Sequence, residues 1–131
     1  MRSSAASDVY KRQKILIADD IDVNRMVVTM MIQQVQPNWV LDEADSGETL
    51  VAMAKAGRYD LIIADQHFGM EPMLTGTDAT RALREAGCTA IIIGLTGDAG
   101  KPEYDDMARA AGQDWVLSKP PVGFLQSTVS D

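Results

Sequence analysis

The stretch KILIADD, residues 14–20, decides the fold because it joins a short apolar run to an abrupt acidic end. Four similar runs follow it along the chain. Runs that are apolar on both faces are typical of parallel strands covered by helices on each side. The intervals between them leave room for one crossover helix each, which predicts an α/β fold. The five predicted strands cover Lys14–Asp20, Trp39–Ala44, Asp60–Asp65, Ala90–Thr96 and Trp115–Ser118.

The first interval carries a helix pattern rich in methionine. Asp22 is placed to cap its start, and Pro37 lies beyond its end. Because methionine fills irregular gaps in apolar cores, we expect the methionines of this helix to be core residues. The apolar positions at helical spacing are Val23, Met26, Val27, Met30 and Met31.

The later intervals also contain helix boundaries. Ser46 is placed to cap a second helix that ends at Gly57. A third helix is predicted at about 77–86, and Pro102 suits the first turn of a fourth that ends at Gly112. After Pro121 the remaining residues predict only a short or truncated fifth helix.

Composition limits the possible functions. The 131 residues suit one domain with a single core, and twelve basic against nineteen acidic residues give a net charge of −7. An acidic surface disfavours direct binding to nucleic acid or to an anionic membrane. The single cysteine, Cys88, indicates a reducing, cytoplasmic compartment, and the single histidine, His67, excludes a histidine-rich metal site. No apolar run approaches the roughly 20 residues that a membrane span needs.

Residues 1–13 are left out of the predicted domain, which covers residues 14–131. They show no periodic apolar pattern and no stretch of signal-peptide type. The segment Asp8–Gln13 resembles the translation of a sequencing-library adapter, which predicts a non-native leader. An ordinary flexible leader is the alternative.

Chemically active groups follow four of the five predicted strands. Asp19 and Asp20 end the first strand, Asp65 ends the third, Thr96 ends the fourth, and Lys119 follows the fifth. Because the carboxyl ends of parallel strands share one edge, these groups are expected to converge. Three carboxylates repel one another unless they are protonated or bridged by a cation, and an open oxygen site suits Mg²⁺. With a hydroxyl and an ammonium opposite, the edge predicts phosphoryl chemistry at a carboxylate.

Eight short motifs accompany these groups between residues 14 and 121. They are ILIADD at 15–20, Asn24-Arg25, ADSGE at 44–48, YDLIIAD at 59–65, Gly76, Leu95-Thr96, Ala111-Gly112 and LSKP at 117–120. In combination they resemble the receiver domain of response regulators in two-component signalling. The resemblance implies a flavodoxin-like (CheY-like) three-layer α/β/α sandwich whose five parallel strands follow the order 2-1-3-4-5.

The resemblance also implies a role for each acidic residue of the site. Asp65 matches the aspartate that accepts a phosphoryl group from a phosphohistidine. Asp19 and Asp20 match the pair that binds Mg²⁺ together with the acceptor, Asp20 directly and Asp19 partly through water. The backbone carbonyl of His67 matches the third protein ligand of the metal. The implied donor is a histidine kinase or a histidine phosphotransfer protein, and an output or kinase domain of the same chain is possible. In a hybrid kinase, the parent protein could be attached to a membrane.

The remaining site residues match the groups around the phosphoryl oxygens. Thr96 matches the hydroxyl that bonds one of these oxygens, and Lys119 matches the ammonium that pairs with them. Gly97 is small and leaves space at the acceptor. The side chains of His67 and Asp98 are predicted to tune water access and therefore dephosphorylation.

The sequence departs from the usual receiver pattern at two places. Phe68 and Gly69 stand where receivers commonly have Met-Pro, and Gly76 follows Asp65 by eleven residues instead of eight. The loop over 66–76 is therefore about three residues longer. Val116 occupies the usual position of an aromatic switch residue, so that form of signal output is in doubt.

Two other functions stay open from the sequence alone. The chain could be a receiver-like interaction module that works without phosphorylation. Alternatively, Asp20-Ile21-Asp22-Val23 mimics the nucleophile motif of haloacid-dehalogenase-like phosphatases, with Asp20 as nucleophile and Asp22 as acid. A flavodoxin-like FMN carrier is disfavoured, because the first loop lacks a phosphate cradle and its acids would repel phosphate.

Overall fold

The computed structural model describes residues 13–67, 74–97 and 102–119, which form five parallel strands and four helices. The sheet order is 2-1-3-4-5, so the predicted fold class and strand order are confirmed. The short fifth helix predicted after Pro121 lies outside the described residues. In chain order the elements are β1 (Lys14–Ala18), α1 (Asp22–Val35), β2 (Val40–Ala44), α2 (Gly47–Ala56), β3 (Leu61–Asp65), α3 (Gly76–Glu85), β4 (Ile91–Thr96), α4 (Pro102–Ala111) and β5 (Trp115–Ser118).

The two faces of the sheet carry separate apolar clusters because successive side chains of a strand point to opposite faces. On one face, Leu16 and Ile62 are fully buried in a cluster with residues of α2 and α3. On the other, Ile15 and Ile63 are buried beside Val28 of α1. The predicted three-layer arrangement follows from this division.

Strand register brings the carboxyl ends of the strands to one edge. Ala18 of β1 pairs with Ala64 of β3, and Asp65 pairs with Leu95 of β4. Thr96 then pairs with Ser118 at the end of β5. The groups that follow these strands therefore lie along the same edge of the sheet.

Helix boundaries follow the predicted capping residues in most cases. The side chain of Ser46 accepts a hydrogen bond from the Thr49 N–H at 3.0 Å, and α2 ends at Gly57 as predicted. Thr75 caps α3 in the same way, slightly before the predicted start. Gly112, with φ +120°, follows α4 in a backbone conformation that favours glycine.

The prediction that Asp22 caps α1 is wrong. The N-cap is Ile21, and Asp22 is the first helical residue, where its carboxylate pairs with Arg25. The carboxylate of Asp19 instead accepts a hydrogen bond from the Ile21 N–H at 2.9 Å. Asp22 still lies in the first turn, where a negative charge favours the helix dipole.

The prediction that the methionines of α1 fill the core is also wrong for two of them. Met26 is 49% exposed and Met30 is 38% exposed, whereas Val27 is fully buried. Val28 and Ile32 pack against the sheet, so the buried face of α1 does not include the adjacent positions 26 and 30. The apolar spacing therefore predicted the helix but not which of its apolar residues would be covered.

Gln13 is hydrogen-bonded to the first residue of β2. The backbone carbonyl of Gln13, the last residue of the predicted leader, accepts a hydrogen bond from the Val40 N–H at 2.8 Å. The rest of that leader lies outside the described residues. Within the described part of the chain, no helix has the length and apolar character needed to cross a membrane.

Gly76 offers a test of how tightly α3 is seated on the end of β3. A Cβ at this position would meet the Asp65 carbonyl oxygen and would lie 3.0 Å from the Asp65 carbonyl carbon and from Cα of Gln66. Because backbone must move to relieve this overlap, we expect Gly76→Ala to lower the free energy of unfolding by about 1–3 kcal/mol. Urea denaturation measures this loss.

Gly97→Ala is the matched control, because a Cβ there meets no atom of the described residues within 4 Å. Its free energy of unfolding should stay within about 0.5 kcal/mol of the wild-type value. Equal denaturation midpoints for the two variants would contradict the tight seating of α3.

Candidate functional site

Three carboxylates converge where β1 and β3 end side by side. Each of Asp19, Asp20 and Asp65 offers an oxygen, and these oxygens all lie within 4.8 Å of one another. Asp19 and Asp65 are buried, at 4% and 3% exposure, whereas Asp20 is exposed. The predicted convergence of the acids is therefore confirmed, with two carboxylates enclosed and one open to solvent.

Asp19 is held by hydrogen bonds on its backbone as well as on its side chain. Its N–H donates to the carbonyl of Ala44 at 3.0 Å, which ties it to the end of β2. Its own carbonyl accepts from Nη1 of Arg25 at 2.7 Å. Arg25 also donates to Glu43 through Nε at 2.8 Å, so one guanidinium fixes the start of α1 against two strand ends. The sequence predicted no role for Arg25, because its partners are a backbone carbonyl and a residue of another strand.

Lys119 brings the compensating positive charge. Its Nζ lies 3.0 Å from Oδ1 of Asp65 and 3.4 Å from Oδ2 of Asp19. The Lys119 N–H donates to the carbonyl of Thr96 at 2.9 Å, which places the residue directly after β5 at the same edge. Burial lowers the pKa of Lys119, but the hydrogen bonds and charges of Asp65 and Asp19 outweigh it and raise this pKa overall. The side chain is therefore held as an ammonium.

The negative charge of Asp65 is unfavourable in this site. Burial raises its pKa, and repulsion from Asp19 adds to the increase. The hydrogen bonds from Lys119 and from the His67 N–H, the latter at 3.2 Å, oppose the shift without cancelling it. The site therefore has an unbalanced negative charge that an added cation would relieve.

The other predicted site residues lie around this cluster. Thr96 is buried at the end of β4, one residue after the partner of Asp65 in the ladder. Gly97 is exposed, and within the part of the chain that the structure describes a Cβ added there would meet nothing within 4 Å. His67 is exposed and contributes its N–H to Asp65, whereas the role of its carbonyl stays a prediction. Asp98 lies outside the described residues.

A cavity of about 430 Å³ lies beside the cluster. It extends from Thr96 and Val116 at the sheet edge to Tyr104 and Met107 of α4. Val116, at the usual position of the aromatic switch residue, is half-buried in this wall.

Gln66 and Gln113 form a buried contact that the sequence did not predict. Their side-chain amides are hydrogen-bonded to each other next to Gly94 of β4. Gln66 follows the buried Ala64 by two residues and continues the same alternation, so a polar side chain stands where an apolar one is expected. That mismatch was the signal available in the sequence.

The chemistry of the donor set fits Mg²⁺. The cluster offers only carboxylate oxygens, which are hard ligands, and the exposure of Asp20 leaves room for water ligands. Both carboxylate oxygens of Asp19 already have partners, in the Ile21 N–H and in Lys119. Asp20 and Asp65 are therefore the side chains best placed to contact a cation directly.

Comparison with known proteins gives close matches. The family model described as the response regulator receiver domain matches residues 15–125. The two-component response regulator ORR41 of Oryza sativa subsp. japonica is 33% identical over 112 residues, covering 84% of this chain and 85% of the relative. The autoinducer 1 sensor kinase/phosphatase LuxN of Vibrio campbellii is 33% identical over 106 residues, covering 81% of this chain but only 12% of LuxN.

Solved structures also resemble this chain in both fold and sequence. The receiver domain of the sensor histidine kinase PA1611 from Pseudomonas aeruginosa PAO1 superposes with a TM-score of 0.69 at 28% identity. The match covers 91% of this chain and 95% of that domain, which has a magnesium ion coordinated in its active-site cleft. With the strand order and the carboxylate cluster, these matches show that the chain belongs to the response-regulator receiver domain family.

Proposed function

We propose that this domain accepts a phosphoryl group on Asp65 from a phosphohistidine, in a Mg²⁺-dependent reaction that alters its surface for partners. The observation that carries the proposal is the buried carboxylate of Asp65, 3.0 Å from Lys119 and clustered with Asp19 and Asp20. The donor is a histidine kinase or a histidine phosphotransfer protein. The match to a short part of LuxN, a sensor kinase/phosphatase, supports a place beside a kinase or an output domain in a longer chain.

The transfer itself is a displacement at phosphorus. A carboxylate oxygen of Asp65 attacks the phosphorus while the N–P bond of the phosphohistidine breaks. The electron pair of that bond stays on the imidazole nitrogen, and the product is an acyl phosphate on Asp65. Because β3 fixes the carboxylate at its end, the chain contributes mainly by positioning the acceptor.

Lys119 and Thr96 are the groups proposed to bind the phosphoryl oxygens. Nζ of Lys119 lies 3.0 Å from Oδ1 of Asp65, so it is within reach of a group bonded to this carboxylate. Thr96 ends the neighbouring strand and brings a hydroxyl to the same edge. Charge-assisted and neutral hydrogen bonds to these oxygens stabilise the charge that develops during transfer. Gly97 keeps the space beside them open.

The proposed protein ligands of Mg²⁺ are the carboxylates of Asp19, Asp20 and Asp65 and the backbone carbonyl of His67. When bound, the ion supplies positive charge that offsets the charge of the phosphoryl group. Because both oxygens of Asp19 have protein partners, we assign Asp19 a contact partly through water and Asp20 a direct one.

His67 and Asp98 are proposed to adjust the lifetime of the acyl phosphate by controlling water access. The proposal for His67 rests on its exposed position two residues after the acceptor. Shorter or longer phosphoryl half-lives are expected in His67→Ala and Asp98→Ala. Unchanged half-lives in both variants would exclude this role.

Mg²⁺ should stabilise the folded protein, because a cation that binds only the folded state raises its stability. The increase is expected to reach about 2.7 kcal/mol at a Mg²⁺ concentration 100 times the dissociation constant. Asp20→Asn removes one carboxylate of the cluster and should weaken this response. Thermal unfolding with increasing Mg²⁺ measures the effect.

Asp106→Asn provides the control, because it makes the same chemical change at an exposed residue of α4 outside the cluster. It should respond to Mg²⁺ as the wild type does. A response in Asp20→Asn equal to that of Asp106→Asn would contradict the proposed metal site.

Acetyl phosphate with Mg²⁺ tests the acceptor directly. The wild type should gain one phosphoryl group by intact-protein mass spectrometry, and Asp65→Asn should gain none, because its side chain lacks the nucleophilic carboxylate. Lys119→Ala should form the adduct more slowly, because it removes the ammonium that contacts the Asp65 carboxylate.

The same variants distinguish the alternatives left open by the sequence. A phosphatase that uses Asp20 would keep its activity in Asp65→Asn and lose it in Asp20→Asn. Its acid would be Asp22, whose carboxylate is instead paired with Arg25. A wild type that gains no phosphoryl group would support an interaction module that works without phosphorylation and would contradict the proposed function.

A further inference from the structure

The residue directly after the acceptor belongs to a buried pair of side-chain amides. Nε2 of Gln66 donates to Oε1 of Gln113 at 2.7 Å, and Nε2 of Gln113 donates to Oε1 of Gln66 at 3.0 Å. Gln66 is 8% exposed and Gln113 is 4% exposed. Because a buried amide without partners is costly, each of these side chains holds the other in place.

Two threonines of α3 extend the pair. Oγ1 of Thr77 donates to Oε1 of Gln66 at 3.1 Å, and Nε2 of Gln113 donates to Oγ1 of Thr80 at 3.2 Å. The hydroxyl of Thr80 in turn donates to the carbonyl of Gly76 at 2.7 Å. The amide pair is therefore fastened to the first turns of α3.

A glycine in the sheet makes room for the pair. A Cβ at Gly94 would overlap Oε1 of Gln113 and Nε2 of Gln66, and it would lie 2.8 Å from Cδ of Gln113. Gly94 lies in β4 between Ala64 of β3 and Val116 of β5. The space for the two amides therefore comes from the missing side chain of one residue in β4.

The backbone of Gln66 is fixed on both sides as well. Its N–H donates to the carbonyl of Leu95 at 3.0 Å, and its carbonyl accepts from the Gly76 N–H at 3.1 Å. Together with the amide pair, these bonds tie residue 66 to β4, to α3 and to the turn before β5. Asp65 and His67 are the residues on either side of this fixed point.

We infer that Gln66 and Gln113 are positioning residues that hold the segment Asp65–His67 in the geometry needed for phosphoryl acceptance and cation binding. The inference rests on the proposed function of Asp65. The pair acts through the backbone of residue 66, which sets the direction of the Asp65 carboxylate and of the His67 peptide. Outer groups of this kind orient the residues that contact a metal.

The double variant Gln66→Met/Gln113→Met tests this role. Methionine is unbranched and fills a similar volume, so the core stays filled while the hydrogen bonds between the amides are lost. Each single variant leaves one amide without its partner and should unfold at lower urea concentration than the double variant. We therefore expect the double variant to keep a denaturation midpoint close to that of the wild type.

Two readouts separate positioning from packing. The His67 N–H donates to Oδ1 of Asp65, with 3.2 Å between nitrogen and oxygen. In the metal-free double variant, this amide hydrogen should exchange faster than in the wild type. The amide hydrogen of Leu16, in the buried strand β1, is the internal control and should exchange at the wild-type rate. The Mg²⁺ dissociation constant, measured by calorimetry, should rise about tenfold.

A stable double variant with wild-type exchange at His67 and wild-type Mg²⁺ affinity would overturn the inference. If the double variant does not fold, Thr77→Val serves instead, because it removes only the hydroxyl bond to Gln66 near the start of α3. Faster exchange at His67 is expected there too, and an unchanged rate would overturn the inference. Failure of the wild type to form an acyl phosphate would defeat the proposed function, whereas normal phosphorylation with an unaffected double variant would defeat only the positioning role.

Discussion

Repulsion among three carboxylates at one sheet edge is the constraint on which the rest of the site depends. Asp19 and Asp65 are buried together, and burial and mutual repulsion both raise the pKa of Asp65. Lys119 directly follows β5, the strand at one edge of the sheet, and relieves part of this cost by contacting both carboxylates. The remaining negative charge makes the edge receptive to a divalent cation.

The backbone around the cluster keeps these charges close together. Asp19 is tied to the end of β2 through its N–H and to Arg25 through its carbonyl. On the other side, Gly76 seats α3 against the carbonyl of Asp65, and Gln66 is bonded to β4 and α3. Because regular elements hold the acidic groups, the carboxylates cannot easily separate to relieve their repulsion. The unfavourable negative charge is therefore available to attract a cation.

Much of the fold and of the central site could be predicted from the sequence. Apolar runs that end in Asp19 and Asp65 define both the strands and the edge at which they end, so acid convergence follows from the same pattern as the sheet. Helical spacing was less informative, because it shows that residues share a face without showing where the sheet lies. That is why Met26 and Met30 were predicted in the core but are exposed. The alternation along β3 could single out Gln66 as a polar residue at a buried position, but its partner Gln113 lies 47 positions away and the pair depends on the missing side chain of Gly94, so no local pattern could reveal the contact itself.

We propose that a phosphohistidine donor places its phosphoryl group on Asp65. The most direct measurement is peptide mapping after the donor reaction with Mg²⁺ and borohydride reduction, which converts a phosphorylated aspartate into a stable alcohol. We expect the reduction to mark Asp65 in the wild type, with no mark at Asp20 or Asp22. A mark at another aspartate would contradict phosphorylation of Asp65. So would the absence of any mark in protein that has received phosphoryl groups.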